Sequence, residues 1–79
     1  MAEHLRLIFP EERITEPVMY HLVTDYQVVP NIRRAAIEHH FGWMVIELGG
    51  EPERIAAAKQ YLESLGIKVD NAEGDIVAG

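Results

Sequence analysis

No cysteine occurs among the 79 residues. Disulfides, thiolate metal sites, iron–sulfur ligation and a cysteine nucleophile are therefore excluded for this chain. The usual staples of a small secreted domain are missing with them. No apolar run approaches the roughly 18 residues that a membrane-spanning helix needs. The start, Met1-Ala2-Glu3-His4, has no basic stretch followed by an apolar one. Neither membrane insertion nor a signal peptide is expected, and the expected location is the cytoplasm. Basic residues are scarce, seven Lys and Arg against thirteen Asp and Glu, for a net charge of −6. Nucleic-acid affinity draws heavily on phosphate neutralisation, so DNA and RNA are disfavoured as partners. Serine is nearly absent as well. Ser64 stands alone, no Gly-x-Ser-x-Gly elbow surrounds it, and the chain is expected not to be an enzyme.

What is present is ordinary globular material, 48% hydrophobic, in one domain's length. Leu5, Leu7 and Phe9 alternate with Arg6 and Ile8 to give a first strand over 5–9, stopped by Pro10. Thr15 reads as an N-cap with Glu16 and Pro17 in the first turn, and Ile14 is placed to staple onto Met19. Met19, Leu22, Val23 and Tyr26 then mark the apolar face of a helix ending near Asp25 or Tyr26. A second strand over 31–38 follows, with Pro30 at its start or on a sheet edge because proline lacks a ladder donor. His39-His40-Phe41-Gly42 reads as a hairpin turn into a third strand over 43–48. Gly49-Gly50 breaks that strand and Glu51-Pro52 opens a second helix, with Ile55, Ala58, Leu62 and Leu65 on one face. Gly66 sits where a left-handed helix terminator belongs, ahead of a fourth strand over 67–70. The residues from 71 to 79 read as a frayed tail behind an ordered core of about 5–70.

The order βαββαβ predicts an α+β, ferredoxin-like sandwich, a four-stranded antiparallel sheet with both helices on one face. Met19, Leu22, Ile46, Leu48, Ile55, Leu62 and Val69 are the expected core. Met44, Ile46 and Leu48 face the helices, so Trp43, Val45 and Glu47 face the other way together with Ile8. A water-facing sheet surface should be mostly polar. Ile8, Trp43 and Val45 are apolar enough to want a cover, and the simplest cover is a second copy, giving a homodimer through the open sheet face.

Few residues suggest chemistry. His4, His21, His39 and His40 do not converge by spacing, so no metal site is expected. Arg33-Arg34 on a regular strand sends one guanidinium to each face; the pair either blunts an edge strand or lends one forked clamp to a carboxylate. Gly49-Gly50-Glu51-Pro52 precedes a helix, but Glu51 sets a negative charge where an anion would sit, and a strand-to-helix turn is the better reading.

At Pro30-Asn31-Ile32-Arg33 the chain resembles the NIL domain, named for an Asn-Ile-Leu tripeptide. The resemblance runs over most of the chain. It includes Arg6-Leu7-Ile8-Phe9, Glu16-Pro17-Val18-Met19, the run from Gly42 to Gly50, and Tyr61-Leu62 ahead of Gly66-Ile67-Lys68-Val69. It implies a single NIL-like domain over 1–79, of the kind found at the C-terminus of methionine-type ABC transporter ATPases and beside iron–sulfur modules. It further implies a regulatory module that senses a small, methionine-like amino acid, with a transporter or an iron–sulfur protein as partner and no cofactor of its own. The ligand-binding candidates are Asn31, Ile32, Arg33 and Arg34. Arg33 stands where the family has Leu, a departure that either changes the polarity of the pocket or removes the pocket.

Overall fold

Leu5 and Leu7 on one strand, Ile46 and Leu48 on another, and Val18, Leu22, Ile55, Ala58 and Leu62 on two helices meet in a single buried cluster. That cluster fixes the architecture of the computed structural model, which describes residues 2–10, 16–38 and 41–72. The elements are β1 (Ala2–Phe9), α1 (Val18–Thr24), β2 (Val29–Ile37), β3 (Gly42–Gly49), α2 (Pro52–Ser64) and β4 (Lys68–Asn71). They form one sheet in the order β2-β3-β1-β4, antiparallel at every pairing. The cluster draws on both helices and on one face of the sheet only, so the helices share that face. This is the α+β, ferredoxin-like arrangement that the periodicities predict.

Leu22, Ile46, Leu48, Ile55 and Leu62 are fully buried, while Met19 and Val69 are half-buried against them. Fully burying one such side chain contributes about 1.5–3 kcal/mol. At the end of α2, Gly66 takes a φ of +85°. The Ile67 N–H reaches the Leu62 carbonyl at 3.2 Å and the Gly66 N–H that of Glu63 at 3.0 Å, the paired bonds of a Schellman terminator. Leu62 and Ile67, the two residues that such a terminator brings into contact, both lie in the core. Pro30 lies in the edge strand β2, where a missing donor is tolerated.

Four expectations are corrected. On α1, Val18 joins Leu22 in the core and Val23 is 52% exposed, because a helix of seven residues turns its i and i+4 pair inward and leaves the next flank in water. The helix begins at Val18 with Pro17 as its N-cap, so Glu16 and Pro17 precede it; Thr15 and Ile14 lie outside the described residues, as do His39 and His40 of the hairpin turn. The ordered chain continues past residue 70. Asn71 belongs to β4, and buried Ala72 donates its N–H to the His4 carbonyl at 2.9 Å.

The fourth correction matters most for the site. Ile32 is opposite Ile46 in the β2–β3 ladder and Arg34 is opposite Val45, so Arg33 is the extra residue of a β-bulge. Two-residue alternation stops there. Asn31 aligns with Glu47, Arg34 with Val45 and Ala36 with Trp43, all on the open face. Arg33 also reaches that face, where its guanidinium meets the Glu47 carboxylate. Both arginines therefore serve one side of the sheet.

Candidate functional site

The open face is built in rows across β1, β3 and β2. Antiparallel register puts His4, Glu47 and Asn31 in one row. The next row holds Arg6, Val45 and Arg34, and the one beyond it Ile8, Trp43 and Ala36. Successive rows are about 7 Å apart, two residues along a strand.

The first row is a polar cluster. Glu47 accepts from Arg33 and lies 3.6 Å from His4 Nε2. The Arg33 hydrogen bond holds the Glu47 carboxyl below its ordinary 4.5, against some desolvation, with the charges of Arg33 and His4 adding to the lowering. That contribution to stability is present above the ordinary carboxylate range and is lost as pH falls through the lowered value.

In the second row Val45 is fully buried, yet it lies outside the main core cluster. Its register neighbours on the open face are Arg6 and Arg34, side chains long enough for their aliphatic stems to cover a valine while the guanidinium groups reach the surface. This corrects the expectation that Val45 offers apolar surface to a partner; the chain already covers it. Ile8 and Trp43 lie opposite each other on this face and are half-buried. The Arg34 guanidinium lies over the Trp43 ring, 5.9 Å from its centroid. Beside this stack is an open depression of about 390 Å³, lined by Arg6, Ile8, Arg34, Phe41 and Trp43.

Of the four candidate ligand-binding residues, the fold brings three to one face, Asn31, Arg33 and Arg34. Ile32 points to the other side of the sheet and is 51% exposed at its edge. Glu47, Arg6 and Phe41 belong to the site without having been singled out for it. Arg6 was within reach of sequence reasoning, since it alternates with Leu5 and Leu7 and so shares the face of Ile8.

A second polar cluster lies in the helix layer. His21 Nδ1 is 2.7 Å from Asp25, its Nε2 is 3.7 Å from Glu16, and the Tyr61 hydroxyl donates to Glu16 at 2.8 Å. Tyr61 also packs against Tyr26 with ring centroids 4.9 Å apart. Desolvation first, and then the hydrogen bond to Glu16 and its charge, push the Tyr61 phenol from 10.0 to about 12. A raised phenol stabilises the fold below its ordinary value, and that contribution is lost as pH rises through about 12. Alkaline titration by tyrosine absorbance is expected to show a late step that Glu16→Gln moves to lower pH. A late step unchanged by that substitution would mean that Glu16 contributes nothing.

Among the described residues, no group of three or more His, Cys, Asp or Glu side chains is arranged to hold a metal ion. No helix among them is long and apolar enough to cross a membrane.

The family model for the NIL domain matches residues 3–71, and the chain belongs to that family. It is 33% identical over 73 residues to the methionine import ATP-binding protein MetN of Desulfitobacterium hafniense (strain Y51), covering 87% of this chain and 22% of that protein. It is 30% identical over 70 residues to methionine import ATP-binding protein MetN 1 of Paraburkholderia xenovorans (strain LB400), covering 84% and 20% respectively. The chain thus spans about a fifth of the length of these curated relatives. Among solved structures it is similar to the C-terminal domain of an ABC transporter ATP-binding protein from Enterococcus faecalis. That similarity has a TM-score of 0.79 and 29% identity, and covers 90% of this chain and 83% of that one.

Proposed function

We propose that this domain is a non-catalytic regulatory module that binds a small amino acid on its open sheet face and acts on a transporter ATPase. Family membership supports the class of module. The observation that carries the site is the β-bulge at Arg33, which places Asn31, Arg33 and Arg34 on one face beside Glu47 and Trp43. Asn31 offers both a donor and an acceptor, and Glu47 beside it suits an ammonium group. Arg33 is already tied to Glu47, so Arg34 is the carboxylate clamp, its fork fitted to two parallel hydrogen bonds. The relatives are named for methionine import, and methionine is the first ligand to test.

The test is calorimetry together with emission from Trp43, the only tryptophan in the chain. Methionine should give a saturable response at micromolar to millimolar concentrations, since a ligand of so few atoms gains only limited binding energy. Asn31→Ala should abolish it and leave the thermal melt unchanged. If methionine, homocysteine, cysteine and the branched-chain amino acids all give no saturable response, the amino-acid reading is wrong.

A second reading, self-association or docking of a partner protein without ligand, is favoured by exposed apolar residues along the edge strand β2. Val29 is 69% exposed and Ile37 93%. Edge strands with apolar side chains invite pairing with another chain. Light scattering on the same samples separates two geometries. Trp43→Glu should weaken a dimer formed through the open face, whereas Ile37→Glu should weaken one formed along the edge. A monomer at high micromolar concentration removes both.

A further inference from the structure

Arg33 and Arg34 are consecutive in the chain, yet the bulge sets both on the open face. From there they reach opposite ways along the strands. Arg33 turns towards Glu47 in the row of Asn31, and Arg34 towards Trp43 in the row of Ala36. Those two rows are about 14 Å apart, four residues along a strand. A ligand that engages both guanidinium groups therefore needs two acceptors set apart. The bond to Glu47 is made by one terminal nitrogen of Arg33, Nη2. The side chain is 47% exposed, and a guanidinium carries five N–H donors in all.

The pairing of charges decides what the second acceptor is. An ammonium group placed at Glu47 sets two cations, itself and Arg33, on one carboxylate. A neutral amino acid gives Arg33 nothing in return, since its single carboxylate goes to Arg34. A second carboxylate on the ligand restores a partner to Arg33 and completes an exchange of ion pairs.

We infer that the site prefers amino acids with a second carboxylate, glutamate over methionine, with one carboxylate on each arginine and the ammonium group on Glu47. Arg33 is the residue that sets this preference. The inference rests on the amino-acid reading, because the ammonium group at Glu47 is what releases Arg33. It differs in the side chain that the site recognises.

The probes are glutamate, glutamine, methionine and glutarate, titrated at neutral pH and matched ionic strength and followed by amide chemical-shift changes. Glutamate and glutamine differ only in the second carboxylate. Glutamate should bind saturably and about fivefold more tightly than glutamine or methionine, the modest gain of a half-exposed ion pair. Glutarate, which lacks the ammonium group, should bind at least about threefold more weakly than glutamate. Arg33→Leu should remove the preference for glutamate and leave methionine binding no weaker, a split that a general loss of structure would not produce. The comparison of glutamate with glutamine needs no variant and decides the matter even where Arg33→Leu fails to fold. Equal binding of glutamate and glutamine overturns the inference, as does glutarate matching glutamate or an Arg33→Leu protein that keeps the preference. Saturable binding of methionine without glutamate also overturns it and leaves the amino-acid reading standing. No response to any of the four removes both, whereas glutamate binding without methionine upholds the inference and excludes methionine as the ligand.

Discussion

Leu62→Ala is expected to lower the unfolding free energy by about 2–5 kcal/mol, the usual cost of truncating a fully buried leucine. Leu62 has no exposed surface and lies where three parts of the fold meet. It belongs to the inward face of α2, its carbonyl receives the Ile67 N–H in the helix terminator, and its side chain belongs to the same cluster as Ile67 and the strands. A chain of 79 residues has a total stability of roughly 4–12 kcal/mol at typical values per residue. The substitution therefore removes a large fraction of it. Urea denaturation followed by circular dichroism should show a much lower midpoint with a similar slope, since the surface exposed on unfolding barely changes. An unchanged midpoint would mean that α2 packs through a different face.

Leu62 was legible because α2 and β3 obey simple periods. Ile55, Ala58 and Leu62 recur at helical spacing, Ile46 and Leu48 alternate along β3, and Gly66 stands one residue past the helix C-cap. A long regular element averages out local exceptions, so its buried face can be read directly. The short α1 has too few turns for that, and a rotation of its face exchanged Val23 for Val18.

The bulge was not legible for a different reason. Its signature is a change in which residues share a face, and that shows in a hydrophobic pattern only where neighbouring residues differ in polarity. Arg33 and Arg34 are alike, so either phase of β2 reads equally well around them. Only the register against β3, fixed by Ile32 opposite Ile46 and Arg34 opposite Val45, reveals the extra residue. The cover over Val45 was hidden for a related reason. Arginine counts as polar in any pattern, while its stem shields as much surface as an aliphatic side chain.

On the proposal that the open face binds methionine, Arg33→Leu, which restores the Asn-Ile-Leu tripeptide, is expected to tighten that binding about tenfold, equivalent to about 1.4 kcal/mol. In the present chain the Arg33 guanidinium occupies the Glu47 carboxylate and is the leading cause of its lowered pKa. A ligand ammonium group must compete with that contact or share the carboxylate with it. Leucine at the bulge removes the competitor and a like charge beside the proposed ammonium position, while Asn31 and the proposed clamp Arg34 remain on the same face. The Arg33–Glu47 pair is solvent-exposed and screened, so the gain from freeing the carboxylate is expected to be modest. The Glu47 carboxyl should at the same time titrate closer to its ordinary 4.5, because its main stabilising donor is gone. Carbon-detected titration of the Glu47 carboxyl gives the second reading, and calorimetry with methionine gives the first. A return of Glu47 towards 4.5 with no gain in methionine affinity would show that Glu47 is not the ammonium site. Weaker binding would show that Arg33 itself is the clamp, with the roles of Arg33 and Arg34 reversed.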